Sequence, residues 1–148
     1  MEGFLTRVIS IILAFLMLIA APLINTYGVQ DMENRIELLN DVSDFLDKQT
    51  DKHAITEYDL NQFYLDAESH GMTVDVEVSR YTQTTTTLQD GTIKTLYIVA
   101  DDISSLNTHD ILQVKVTEVS TTPYKKLLNI FLKIYDEPYE VELAKMVT

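Results

Sequence analysis

The chain opens on a long apolar stretch and then changes period twice. Residues Val8 to Ile24 read VISIILAFLMLIAAPLI, and the uncharged run that starts at Val8 lasts 23 residues, until Asp31. About 20 apolar residues in helix cross the hydrocarbon core of a bilayer. The expected order is a short flank over 1–7, a transmembrane helix over 8–27, and a domain over 28–148. From Asp31 to Lys48 the period is helical: Met32, Ile36, Leu39, Val42 and Leu46 recur at spacings of 4, 3, 3 and 4, which predicts one apolar stripe. Glu33, Glu37, Asp41 and Asp44 fall on other faces. This helix reads as a continuation of the membrane helix, with Gly28 as the place where a break could fall, and Gln49 to Ala54 reads as a polar connection.

A further helix is signalled from Thr56. Thr56 and Asp59 have the spacing of a capping box, and Ile55 and Leu60 that of a hydrophobic staple. Leu60, Phe63, Tyr64 and Ala67 form its expected buried face, and Gly71 suits a left-handed helix end. The period then becomes 2. Met72, Val74, Val76 and Val78 alternate with Thr73, Asp75, Glu77 and Ser79, as in a strand with one wet face. Tyr81 to Leu88 is threonine-rich and reads either as an extension of that strand or as a mobile arm. Asp90-Gly91 is a hairpin signal, with a return strand over Ile93–Ala100. Asp101–Asp110 is a polar loop with room for one helical turn. A strand over Ile111–Val119 follows, then a helix capped by Thr122 with Pro123 at its first position. Leu127, Leu128, Phe131 and Ile134 line the apolar face of that helix. Asp136–Pro138 is a turn, and Tyr139–Val147 a last strand. The expected fold is α+β: a membrane helix, then helices packed on one face of a four-stranded antiparallel sheet.

Three readings of the apolar segment are open: a retained anchor, a cleaved signal peptide or a buried helix. Cleavage needs small residues at its site; Ala20 and Ala21 are present, but Pro22 follows and Leu18 and Ile19 occupy positions where a small residue is wanted. A buried helix this apolar needs a larger protein around it. The retained anchor is therefore favoured. Arg7 flanks one end, Glu2 dilutes it and Arg35 lies beyond the other, so the positive-inside bias is slight. The short flank and the bulky acidic domain favour an N-terminus inside and a C-terminal domain outside the cell membrane. Pro22 and Gly28 are expected to loosen the exit from the membrane.

The formal net charge is −12, and past position 30 there are 22 acids against 10 bases. Such a surface repels nucleic acid and anionic headgroups, so nucleic-acid binding is discounted. The chain has no cysteine, which removes disulfides and thiolate metal sites. It has only four glycines, and no phosphate loop, G-x-S-x-G or H-E-x-x-H pattern is present. His53, His70 and His109 show no ligand spacing and read as surface residues. Asp101, Asp102 and Asp110, or Asp136 and Glu137, could offer oxygen ligands to calcium, but they lack the EF-hand spacing, and solvated loop acids are the preferred reading. No catalytic, cofactor or metal residue is assigned, and no enzyme is expected. The eight tyrosines, among them Tyr58, Tyr64, Tyr81, Tyr97, Tyr124, Tyr135 and Tyr139, are expected to be mostly half-buried, with a minority at a protein interface.

Two stretches carry a family likeness. DVSDFLDKQTDKHAITEYDLNQFYLDAESHGMTVDVEVSRY gives an acidic helix, a capped helix, a glycine and an alternating strand. HDILQVKVTEVSTTPYKKLL gives a strand and then a proline-led helix. With the short basic-tipped N-terminus and single apolar helix, the layout resembles type IV pilins and pseudopilins, and in detail the small pilin-like proteins of tight-adherence (Tad-like) pilus loci of Gram-positive bacteria. The resemblance implies processing between Gly3 and Phe4, and helix packing through Leu13, Phe15 and Leu16. Such pilins carry glutamate at the fifth mature position, where this chain has Val8, so the resemblance points to a minor component or a non-polymerising anchor. The expected function is a structural, membrane-anchored part of a pilus or secretion apparatus, with other apparatus proteins as partners and no cofactor. The alternative is a membrane-tethered extracytoplasmic binding or sensing module.

Overall fold

The computed structural model describes residues 2–134 and 137–148. Helix α1 (Glu2–Phe15) passes through a π-helical turn (Leu16–Ala20) into α2 (Ala21–Lys52). Then follow α3 (Glu57–Ser69), β1 (Val74–Thr87), β2 (Ile93–Ala100), β3 (Ile111–Glu118), α4 (Pro123–Leu132) and β4 (Glu140–Met146). The expected α+β class and the four-stranded antiparallel sheet are both present, in the order β2-β1-β3-β4.

The apolar helix and the amphipathic helix after it are continuous, as the sequence pattern predicts. Helix runs from Gly3 to Lys52 unbroken, so the chain does not break at Gly28, and the polar connection begins at His53, later than the expected Gln49. Pro22 has no N–H to give to the carbonyl of Leu18, and its ring would press on that carbonyl in regular α geometry. The π turn takes up the conflict: the Ala21 N–H donates to the Leu16 carbonyl, five residues back, a bulge of the kind that inserts into α-helices. Gly28 serves a close approach. A Cβ there would lie 3.0 Å from Cε2 of Tyr124, at the start of α4.

The head is built on the second half of α2. Its buried positions include Leu38, Val42, Phe45, Leu46 and Gln49, so the inner stripe is centred on Leu38 and Phe45. Met32, Ile36 and Leu39 of the expected stripe are exposed instead. The Phe45 and Phe63 rings stack at 4.3 Å between centroids, joining α2 to α3. Beneath them lie Val74 of β1, Leu112, Val114 and Val116 of β3, and Val141 of β4. Each such aliphatic side chain, fully buried, contributes roughly 1.5–3 kcal/mol. In β3 buried and half-buried positions alternate strictly, which places α2 and α3 on one face of the sheet.

The capping signals are all realised. Thr56 Oγ1 accepts from the Asp59 N–H at 3.2 Å, and Asp59 Oδ2 accepts from the Thr56 N–H at 3.1 Å. Ile55 is buried and Leu60 packs against the core. Tyr64, expected inside, is exposed. Gly71 closes the helix at φ +71°. The hairpin turn holds Gly91 at φ +82°, with the Thr92 N–H donating to Asp90 Oδ1 at 2.9 Å, and this bond holds the Asp90 carboxyl below its ordinary range. No helical turn occurs in Asp101–Asp110; that loop is held by a bridge between Ala54 and Ser105.

The register divides β1 in two. Val74–Tyr81 pairs with β3, and Arg80–Thr87 pairs with β2. The threonine-rich stretch is therefore strand, and with β2 it forms a two-stranded arm beyond the core. Asp59 offers a measure of how firmly α3 is started. Its carboxylate accepts from Lys52 Nζ at 2.6 Å and from Thr56 Oγ1 at 2.6 Å. The Lys52 bond first, then the Thr56 bond, hold its pKa well below the ordinary 3.8. A carboxyl depressed by folding contributes stability that is complete above its unfolded pKa and is lost as pH falls through the folded value. Asp59→Ala should therefore cost about 1 kcal/mol near neutral pH. The gap between native and variant chains should narrow below about pH 4, as thermal unfolding against pH would report.

Candidate functional site

The charged clusters of the head are structural. Arg80 and Asp110 form a buried pair at 2.7 Å, and Asp110 Oδ2 also accepts from the Asn107 N–H at 2.8 Å. Arg80 Nη1 donates to the Asp102 carbonyl at 3.0 Å. The Asp102 carboxylate accepts from the Ser104 N–H, which holds its pKa below the ordinary value. Asp110 is not the solvated loop acid expected from the sequence; it is buried because Arg80 needs a counter-charge there. Lys125 and Glu118 form a second buried pair at 2.7 Å. Lys125 also donates to the Glu137 carbonyl at 2.6 Å, and Glu118 accepts from the Tyr139 N–H at 3.0 Å. Among the described residues no group of three His, Asp or Glu is placed to hold a metal ion. Tyr135 and Asp136, with the turn expected there, lie outside the described residues.

The histidines are scattered. His53 and His109 are exposed and have positive φ. His70 bridges Glu37 at 3.0 Å and Asp41 at 2.5 Å, fastening the end of α3 to α2. Tyr27, Tyr81, Tyr124 and Tyr139 are half-buried, while Tyr58, Tyr64 and Tyr97 are exposed. The Arg35 guanidinium lies 4.7 Å from the centre of the Tyr139 ring, within cation–π range. An open cleft between α2 and α3 is lined by acids and lysine (Asp41, Asp44, Lys48, Asp59 and Asp66 among them). It brings together no nucleophile and base pair of the kind catalysis needs.

The apolar faces are more informative. Gly3, Phe4, Leu13, Phe15 and Leu16, the residues assigned to processing and helix packing, all lie on the outside of the N-terminal helix. Among the described residues this is the one helix long and apolar enough to cross a membrane. Its apolar surface does not stop where the uninterrupted apolar segment ends at Ile24. Val29, Met32, Ile36 and Leu39 follow one another at helical spacing, all exposed. The helix thus carries two apolar faces past that segment, one covered by its own head and one uncovered. Periodicity in the sequence shows that apolar faces exist, but only the packing of the sheet decides which is covered. A second uncovered surface is on α4, where Ile130, Phe131 and Leu132 are exposed; of the apolar face read from the sequence, Phe131 and Ile134 are exposed. The buried residue of α4 is Lys125, and Leu127 and Leu128 are half-buried. A third is β2, whose Ile93, Leu96, Tyr97, Ile98 and Val99 are exposed on both faces. Comparison with known proteins finds no matching family model, no matching curated protein and no matching solved structure.

Proposed function

We propose that this chain is a membrane-anchored assembly subunit, of minor-pilin or pseudopilin type, that works through protein–protein contacts and performs no chemistry. The carrying observation is the unbroken helix Gly3–Lys52, which couples an apolar span to the core of the head and leaves a lengthwise apolar stripe at Val29, Met32, Ile36 and Leu39 uncovered. In the bilayer the span stores the subunit, and helices pack there through close side-chain contact, with Leu13, Phe15 and Leu16 on the contact surface. Outside it, the stripe extends the same contact to a neighbouring helix of the apparatus. The head, held on the outer side of a bacterial cell membrane, adds lateral contacts, and its acidity keeps it soluble.

The test separates the helix from the head. In the native host, Met32→Lys with Ile36→Lys should leave the protein in the membrane with its head folded, yet remove it from the sheared or purified apparatus. Leu13→Arg should do the same from within the span. Normal incorporation of both variants would refute the reading. If a tethered binding module is the true role, the variants will keep ligand binding and no apparatus will depend on them. Intact mass of the native protein refines the type: a start at Phe4 means prepilin-type processing, and a start at Met1 an unprocessed anchor.

A further inference from the structure

Helix α4 has the pattern of a helix that lies on a membrane. Leu127, Ile130 and Phe131 stand at i, i+3 and i+4, one face of the helix, and Ile134 follows just past the left-handed end at Lys133. Ile130 is 72% exposed and Ile134 49%, so the head leaves this face open there, though Leu127 is half-buried. Lys126 and Lys133, both exposed, flank it along a polar strip with Asn129. From Val119 to Ile134 the sequence has lysines and no acid, in a chain whose net charge is −12. An apolar face bordered by lysines is the composition of interfacial helices, which bind by buried apolar area and by attraction to anionic lipid. The acidic remainder of the head is repelled by such a membrane surface, and this segment is suited to it.

Position agrees with pattern. The Tyr124 ring rests on Gly28, and Thr122, Pro123 and Tyr124 share a cleft with Tyr27, Gln30 and Asp31. Ile24, Tyr27 and Gly28 are half-buried where the preceding span is almost wholly exposed. Gly28 is the first residue past the expected span 8–27, about 1.5 Å beyond Tyr27 along the helix axis. The headgroup layer on each side of a bilayer is roughly 5–8 Å thick. The start of α4 is thus docked on the helix where a span over 8–27 would enter the headgroup layer.

We propose that α4 is an interfacial helix, seated in the headgroup layer of the membrane that the N-terminal helix spans. Its face of Leu127, Ile130 and Phe131 meets the acyl boundary, and Lys126 and Lys133 meet anionic headgroups. The helix and its span then hold the head at two points, fixing its tilt against the bilayer. The inference rests on the anchored reading of the N-terminal helix but not on any assembly partner.

The chain has no tryptophan, so single-tryptophan variants of the full chain report depth directly. Phe131→Trp, Phe15→Trp and Tyr58→Trp would be placed in nanodiscs containing anionic lipid, with bromines either near the headgroup end or deep in the acyl chains. The indole of Phe131→Trp is expected to be blue-shifted and quenched most by the shallow bromines. That of Phe15→Trp should be quenched most by the deep ones, and that of Tyr58→Trp by aqueous iodide only. Lys126→Glu with Lys133→Glu, added to Phe131→Trp, should weaken the lipid quenching, as should replacing anionic by zwitterionic lipid. If Phe15→Trp meets lipid while Phe131→Trp is quenched by iodide as strongly as Tyr58→Trp, α4 is in water and the proposal is overturned. Shielding of the Phe131→Trp indole from both quenchers would overturn it too, placing a second copy or another protein on the face. If the Phe15→Trp indole itself fails to meet lipid, the anchor reading falls, and this inference with it.

Discussion

Asp110→Ala is expected to lower folding stability by about 3–5 kcal/mol, among the largest effects of any single substitution in the head. The side chains of Arg80 and Asp110 are 8% and 2% exposed and 2.7 Å apart. Removing the carboxylate leaves a guanidinium buried without its counter-charge, and leaves the Asn107 N–H without its acceptor. The pair also sits at a structural junction. Arg80 is opposite Ala100 of β2 and Leu112 of β3, where β1 changes partners, and the Asp110 carbonyl accepts from the Val147 N–H. The variant should therefore lose the arm and the end of β4 together. A fall of about 10 °C or more in melting temperature is expected for the full chain in detergent, with tyrosine circular dichroism as the probe. Arg80→Met combined with Asp110→Leu should recover much of the loss, because a matched apolar pair leaves no uncompensated charge. Equal melting temperatures for the native chain and Asp110→Ala would show the pair to be inert.

The second large effect is expected at Lys125, which is buried with Glu118 at 2.7 Å and also holds the Glu137 carbonyl. Lys125→Ala leaves the Glu118 carboxylate with the Tyr139 N–H but without a cation, at a cost of about 3–5 kcal/mol if the head must stay closed. The less costly response is local: α4 comes away from the end of β3 while the α2–α3–sheet core survives. Hydrogen exchange would separate the two cases. Local release predicts loss of protection over α4 and the first residues of β4, with Val114 and Val116 still protected. Uniform loss across all elements would mean that α4 is part of the cooperative core.

Much of the fold is written in local pattern. The box at Thr56 and Asp59, the left-handed Gly71, the Asp90-Gly91 turn and the Thr122-Pro123 start each depend on a few neighbouring residues, and each is read from them. What escapes is decided at long range. Met32, Ile36 and Leu39 are as apolar as Leu38 and Val42; the sheet covers one set and leaves the other. Gly28 looks like a breaker until Tyr124, nearly a hundred residues on by the numbering, needs its missing side chain. The buried charges did leave a signal. Val74, Val76 and Val78 continue in step to Arg80, and Leu112, Val114 and Val116 to Glu118. A charge at the next inward position of an alternating strand asks for a partner inside, though the sequence does not say that Asp110 and Lys125 supply it. The candidate interaction surfaces were half legible for the same reason: the apolar N-terminal segment is plain, while the uncovered faces of α2 and α4 depend on what the head fails to cover.

The π turn at Leu16–Ala20 sets a rotational phase. It is in effect one residue more than an α-helix would need between the span and the head. Each residue of α-helix turns the chain by about 100° and advances it by about 1.5 Å. Deleting one residue from the turn would swing the head about a quarter of a revolution around the axis of the span, hardly changing its height. In the assembly proposed above, the apolar face of the N-terminal segment and the uncovered stripe at Val29, Met32, Ile36 and Leu39 would then fall out of alignment, with each surface itself intact.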